Sequence, residues 1–408
     1  MHMINQEWPE AMKWSYDQVP RRLGIPCVVY YDAHATEIFG WAGRQDGVVT
    51  ERNTLKPGVF AAANFISRLY PPDDYPDEWK SALLPGTKTA ENVTVDYLRH
   101  LRASILQQIR EKELSQGSQK TAEIQFVITV PAFWDNDARG QFREIVKRAG
   151  FDDVNHPTEE TLTFISGPEA ALFHASSLQI DLISVADNVF VLNCGSHTAE
   201  AATYTIESKS PLKIHRRTAV SVSSCGSAEV SRLFLNIARE KIDKAGFPKT
   251  GRTLGRMRLR AKRAFEKEVL YNDKFDAGRF DFDLPPEVQS DGNQNAFWVA
   301  DLGVELSCPE ADMVEGYMSF WKEEIWSPFD AVVERTMGLV REQMGAVEVL
   351  GEQINRCLLI GGFIKCPYYA RNVEAGMASL GLKVVEHRDD GANLAMGAVW
   401  AAFSAPGP

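Results

Sequence analysis

The chain has 408 residues, too long for one hydrophobic core and long enough for two or three domain-sized units. Apolar residues make up 44% and charged residues 24%, an ordinary globular mix that excludes a disordered chain, a collagen-like chain and a coiled-coil rod. With 44 Lys+Arg against 55 Asp+Glu the net charge is −11, which speaks against a nucleic-acid or anionic-membrane surface, and no uncharged apolar run reaches the roughly 18–20 residues of a membrane span.

The start, Met1-His2-Met3-Ile4-Asn5, has no basic region followed by an apolar stretch, so no secretory signal is read and a cytoplasmic location is expected. Residues 26–31 and 38–41 read as a strand pair, followed by a Pro/Asp-rich loop at 70–74. Residues 91–112 predict a helix, because Val95, Leu98, Leu101, Ile105 and Ile109 recur at spacings of three and four; 113–119 reads as a loop. The nearly continuous apolar run 124–130, ended by Pro131, suits a strand buried on both faces. Residues 136–149 predict a helix with Gly150 as its cap, and Gly167-Pro168-Glu169 opens another helix through His174.

The order restarts after residue 185. Residues 188–192 predict a strand, 194–197 a turn, 199–206 a second strand and 213–222 a third. The stretch 228–310 is mixed; its charge-rich helix 254–270 has sparse apolar positions and reads as solvated or facing a polar cleft. Residues 313–344 read as helix interrupted at Pro328, Arg356–Ile360 as a buried strand running into Gly361-Gly362, and 392–403 as a small-residue helix. The six cysteines are scattered with no C-x-x-C, which reads as free thiols in a reducing compartment. Cys194 and His197 are close enough in sequence to share a metal, but two ligands do not make a site.

Three segments carry a resemblance: Ile128-Thr129-Val130-Pro131-Ala132-Phe133-Trp134, then Phe190-Val191-Leu192-Asn193-Cys194-Gly195-Ser196-His197-Thr198-Ala199-Glu200, then Leu358-Leu359-Ile360-Gly361-Gly362-Phe363-Ile364-Lys365. In order and spacing they resemble the connecting, second phosphate-binding and adenosine-binding segments of the seventy-kilodalton heat-shock chaperone family. The likeness is closest to a divergent branch with many fungal members, and extends from Trp8-Pro9 to Gly397-Ala398. It implies an α/β, actin-like ATPase (ribonuclease H-like) fold of two lobes with the first lobe incomplete. The first lobe is expected at 1–176 with a small subdomain at about 26–115, the second at 187–390 with a small subdomain at about 228–310, and 391–408 as a C-terminal helix returning to the first lobe. ATP or ADP with Mg²⁺ is the implied cofactor, and protein clients or co-chaperones the implied partners, with no nucleic acid and no membrane. In such a site each lobe offers a tight hairpin whose backbone N–H groups hold phosphate.

The sequence departs from that family in three places. The match starts beyond the family's first phosphate hairpin. The second hairpin, Asp-x-Gly-Gly-Gly-Thr-x-Asp in the family, stands here as Asn193-Cys194-Gly195-Ser196-His197-Thr198-Ala199-Glu200, so a carboxylate and two glycines are replaced. Gly167 stands where the family usually has a glutamate; Glu169, two residues on at helical spacing, is expected to point elsewhere. Candidate nucleotide-binding residues are Gly195, Ser196, His197, Thr198, Lys262, Arg263, Gly361, Gly362 and Lys365, with His197 offered as a cation for phosphate or as a drifted turn residue. Thr198 and Glu200 are the catalytic candidates, and Glu200 the metal candidate through water. The resemblance thus implies a degenerate ATPase domain, binding nucleotide weakly and hydrolysing it poorly or not at all, with a binding or regulatory role. The alternative is an active chaperone-like ATPase whose first hairpin is missing from this gene model. A sugar or acetate kinase of the same fold fits less well, since nothing singles out a catalytic Asp.

Overall fold

The computed structural model describes residues 14–16, 19–22, 27–32, 38–41, 58–80, 84–115, 124–151, 162–177, 183–246, 251–270, 298–302, 307–385 and 393–404. It divides into two compact units: Met1–Leu182 with Ser208–Ile214 and Asp390–Pro408, and Ile183–Glu207 with His215–Asp389. Both mix helices with strands, so the chain is α/β. Among the described residues no helix is long and apolar enough to cross a membrane.

In the first unit β1 (Trp14–Tyr16) pairs antiparallel with β2 (Val19–Arg22), and β3 (Val28–Tyr31) lies between β4 (Ile38–Trp41) and β5 (Phe60–Ala63), antiparallel to both. The short helix α1 (Asp77–Lys80) precedes α2 (Ala90–Ser115), whose first turns bury Val93, Val95, Tyr97 and Leu98 beside Val29 and Tyr31 of β3. Tyr31 Oη and Lys88 Nζ each donate to the Asp96 carboxylate at 2.9 Å, so the buried charge is paired. Residues 113–115, expected in a loop, are the last turn of α2, because Glu113 and Leu114 favour the helix they extend; 116–119 lie outside the described residues.

β6 (Phe126–Val130) pairs in parallel with β7 (Leu162–Ser166), and α3 (Asn136–Arg148) and α4 (Gly167–Ser177) follow these strands. Asp135 caps α3 by accepting the Ala138 N–H at 2.8 Å, and Gly150 at φ +88° ends it. β6 is half-buried rather than covered on both faces: among the described residues its ladder partner is β7 alone, and a two-stranded sheet shields little. Two side chains occupy backbone groups of β7. Arg143 donates to the Leu162 carbonyl at 3.0 Å, and Glu169 accepts from the Ser166 N–H at 3.0 Å and its hydroxyl at 2.6 Å. Glu169 therefore serves the start of its own helix, a first-turn position where negative charge is favourable.

The second unit opens with β8 (Asn188–Cys194), antiparallel to β9 (Ala199–Lys209); the expected strand at 213–222 is two strands, β10 (Leu212–Arg216), which straddles the division between the units, and β11 (Ser221–Ser223), which lies on β9. α5 (Ser227–Lys244) and α6 (Gly251–Phe265) follow, α6 running into a wider turn at Glu266–Leu270. The charge-rich helix is not solvated all round. Met257, Ala261 and Phe265, four residues apart, are fully buried, and Phe265 stacks on Phe234 of α5 at 3.9 Å. β12 (Trp298–Asp301), β13 (Met313–Val314) and β14 (Tyr317–Phe320) form a small antiparallel sheet. Residues 313–320, expected to be helical, are thus a hairpin, turned by Glu315 and Gly316 at φ +48° and +83°.

α7 (Lys322–Val349) runs through Pro328 without interruption. Its flanking residues Ile325, Phe329 and Val332 are fully buried, and that packing outweighs one missing N–H. β15 (Arg356–Ile360) joins β8 in parallel, α8 (Pro367–Ser379) follows, and β16 (Val384–Val385) closes the order β9-β8-β15-β16. The last helix, α9 (Asn393–Ser404), belongs to the first unit and packs on α4 and β6. A Cβ at Gly397 would overlap the Ala170 carbonyl oxygen of α4, so a glycine is what permits this approach.

Candidate functional site

The site is built on the β8–β9 hairpin of the second unit. The ladder closes at Cys194 opposite Ala199, and the Gly195 N–H donates to the Thr198 carbonyl at 2.8 Å across the turn. Asn193 faces Glu200 across the ladder. Ser196 is exposed, while Gly195, His197 and Thr198 are half-buried and Glu200 is only 5% exposed.

The start of α5 lies against this turn. The N–H groups of Gly226, Ser227 and Ala228 donate to the carbonyls of His197 (3.2 Å), Gly195 (3.3 Å) and Ser196 (2.7 Å). A helix N-terminus offers unpaired donors that suit an anion; here three of them are used by the turn. The approach is close because residue 226 is glycine: an added Cβ would lie 2.6 Å from the His197 nitrogen and overlap the Ser196 carbonyl.

The end of β15 meets the same hairpin. Ile360 is the ladder partner of Asn193, and Gly361 follows at φ +97°. A Cβ there would overlap the Cys194 carbonyl oxygen and lie 2.8 Å from Asn193 Oδ1. Gly362 differs: it is exposed, and a Cβ would meet nothing within 4 Å. It opens a single turn, Gly362–Lys365, whose Lys365 is also exposed.

Burial, with the Lys262 ammonium nearby, pushes the His197 imidazole down to about 4. His197 is therefore neutral near pH 7, which favours a turn residue over a phosphate-facing cation. Lys262 is 3.6 Å from Glu266, and Arg263 is exposed. The structure thus brings Asn193, Gly195, Ser196, His197, Thr198 and Gly361 together with Lys262 beside them. Gly362, Lys365 and Arg263 stand at exposed positions.

Beneath the turn lies a buried polar chain that the sequence did not disclose. Tyr369 Oη donates to Cys194 Sγ at 3.2 Å and shares a 2.9 Å hydrogen bond with Thr336 Oγ1, which lies 3.6 Å from Cys225 Sγ. Burial pushes the Cys194 thiol up to about 12, so it stays protonated and is a poor metal ligand. Among the described residues no three His, Cys, Asp or Glu side chains converge as a metal set. Glu229, in the first turn of α5 and 1% exposed, was likewise not singled out. It is held by Arg232 at 2.7 and 2.8 Å and by Arg335 at 2.9 Å.

The two ends of the site differ chemically. A phosphate chain wants converging N–H donors, and the Gly195 N–H of the hairpin and three donors of α5 are already bonded within the turn. A hydrated Mg²⁺ wants an accessible carboxylate, and Glu200 is buried while Asn193 carries no charge. At the end of β15, by contrast, Gly362 has open space around it and Lys365 is an exposed cation. No family model matches the chain, and no curated protein matches it.

Proposed function

We propose that the chain is a degenerate nucleotide-binding domain of the seventy-kilodalton heat-shock chaperone family, with that family's two-lobed actin-like fold. It holds the adenosine end of a nucleotide weakly and hydrolyses ATP poorly or not at all. The observation that carries this reading is the contrast at the end of β15 and the start of α5: Gly362 and Lys365 are open, whereas the α5 donors are spent on the turn. The site then acts as a binding or regulatory module, with protein clients or co-chaperones as partners and ADP or ATP with Mg²⁺ as an occasional ligand. Candidate contacts are Gly361, Gly362, Lys365, Lys262 and Arg263 for the nucleoside, with Gly195, Ser196, His197 and Thr198 left at the phosphate side.

Weak hydrolysis follows from the same residues. Asn193 lacks the carboxylate of the family pattern, Glu200 is buried, and His197 is neutral. Loss of one charge-stabilising group commonly costs ~10²–10³ in rate. The test is phosphate release from Mg·ATP by the full chain. Release near the background rate is expected; turnover comparable to an intact family member contradicts the reading.

A further inference from the structure

α3 carries two half-buried arginines one turn apart, Arg139 and Arg143, a spacing that makes their side chains neighbours. Each is pinned by a backbone carbonyl: Arg139 Nε donates to Trp134 and Arg143 Nη1 to Leu162, both at 3.0 Å. The Arg143 guanidinium also lies over the Phe164 ring, 4.9 Å from its centroid. Each fork keeps further N–H donors, and among the described residues neither arginine is paired with a carboxylate. The nearby acids are placed otherwise: Asp135 caps α3, Asp137 is exposed in its first turn, and Glu144 holds Lys147 at 3.1 Å.

Both arginines line a depression of about 500 Å³ with Asn136, Gly140, Leu162, Thr163 and Phe164. Its lining thus carries two cations and no acid, on a chain of net charge −11. Gly140 stands inside α3 between the arginines, where glycine is less favourable than alanine. Packing does not demand it, since an added Cβ would meet nothing within 4 Å. The bare position leaves the space between the two guanidinium groups open.

We propose that this depression binds a phosphoryl dianion, either the free ion or the end of a phosphate monoester. One guanidinium fork satisfies a carboxylate, whereas the terminal oxygens of a phosphoryl group accept from two forks at once. The exposed Asn136 amide and Thr163 hydroxyl add neutral donors to the lining. Arginines already pinned by carbonyls lose little freedom on binding. Charges elsewhere on the chain are screened beyond ~8 Å at physiological salt, so the two local cations govern the contact. Every lining residue belongs to the first unit, so the site does not draw on the β8–β9 hairpin.

Calorimetric titration of the full chain with inorganic phosphate, phenyl phosphate and benzoate tests this. Saturable phosphate binding with a Kd below about 10 mM is expected, with benzoate at least about tenfold weaker than phenyl phosphate. Tighter binding of phenyl phosphate than of inorganic phosphate assigns the site to a monoester; the reverse order assigns it to the free ion. Arg139→Gln should weaken binding about tenfold or more. Gly140→Leu should weaken it as much while raising the unfolding midpoint, because leucine is the better helix former. That variant keeps the proposal testable if Arg139→Gln impairs folding. The inference is overturned if no phosphate binding saturates up to about 10 mM, if benzoate binds as well as phenyl phosphate, or if both variants bind as wild type does.

Discussion

Gly361, at φ +97°, lies against Cys194 so closely that an added Cβ would overlap the Cys194 carbonyl oxygen. This contact joins the end of β15 to the β8–β9 hairpin. Its neighbour Gly362 has open space instead. Gly361→Ala should therefore destabilise the chain by ~2–4 kcal/mol, combining backbone strain with overpacking. Gly362→Ala should stay within about 0.5 kcal/mol of wild type. Urea unfolding of the two variants reads the difference; equal stabilities would contradict the contact.

His197 gives the fold a pH signature. Its folded value of about 4 lies below the ordinary ~6.5 of an unfolded histidine. Between those values the unfolded chain binds more protons, so stability rises with pH across the window and is fully present above it. Wild type should lose up to about 3 kcal/mol more than His197→Gln on going from pH 7 to pH 4. Parallel stability curves for the two proteins would show that the imidazole is not held neutral.

Gly397→Leu should loosen α9. The new side chain would collide with the Ala170 carbonyl and crowd His174 Cβ, which a Cβ alone would meet at 3.2 Å. The cost should be ~3 kcal/mol or more locally, because backbone atoms cannot rotate away. Hydrogen exchange over 393–404 should accelerate strongly while α5 and α7 keep their protection. Unchanged protection of α9 would contradict the packing.

Much of the second unit was legible. The apolar run of β8, the turn at 194–197 and the entry of β15 into Gly361-Gly362 are local signals, and strands of that kind announce themselves by composition. The misread segments depended on tertiary context. Residues 313–320 contain methionine, tyrosine and phenylalanine at spacings compatible with either period; the Glu315-Gly316 pair was the available hairpin signal. Pro328 looked like a break, yet the core around Phe329 holds the helix. The buried face of α6 was present as Met257, Ala261 and Phe265 at four-residue spacing, masked by the arginines and lysines between them. In the site, the glycines at 361 and 362 were legible as a pair but not as opposites. The neutrality of His197 and the Tyr369–Cys194 bond arise from burial and from residues distant in sequence, so no local pattern carries them.

The most direct test of the account is calorimetric titration of the full chain with adenosine, ADP and ATP, each with and without Mg²⁺. The account predicts that adenosine and ADP bind nearly as well as ATP, with shallow Mg²⁺ dependence. Thr198→Ala should change little. Gly362→Trp should abolish binding while unfolding at the wild-type midpoint, because that position has room for a side chain. A preference for ATP over adenosine of more than ~100-fold, roughly 2.7 kcal/mol, would show a working phosphate site at the hairpin and contradict the central claim.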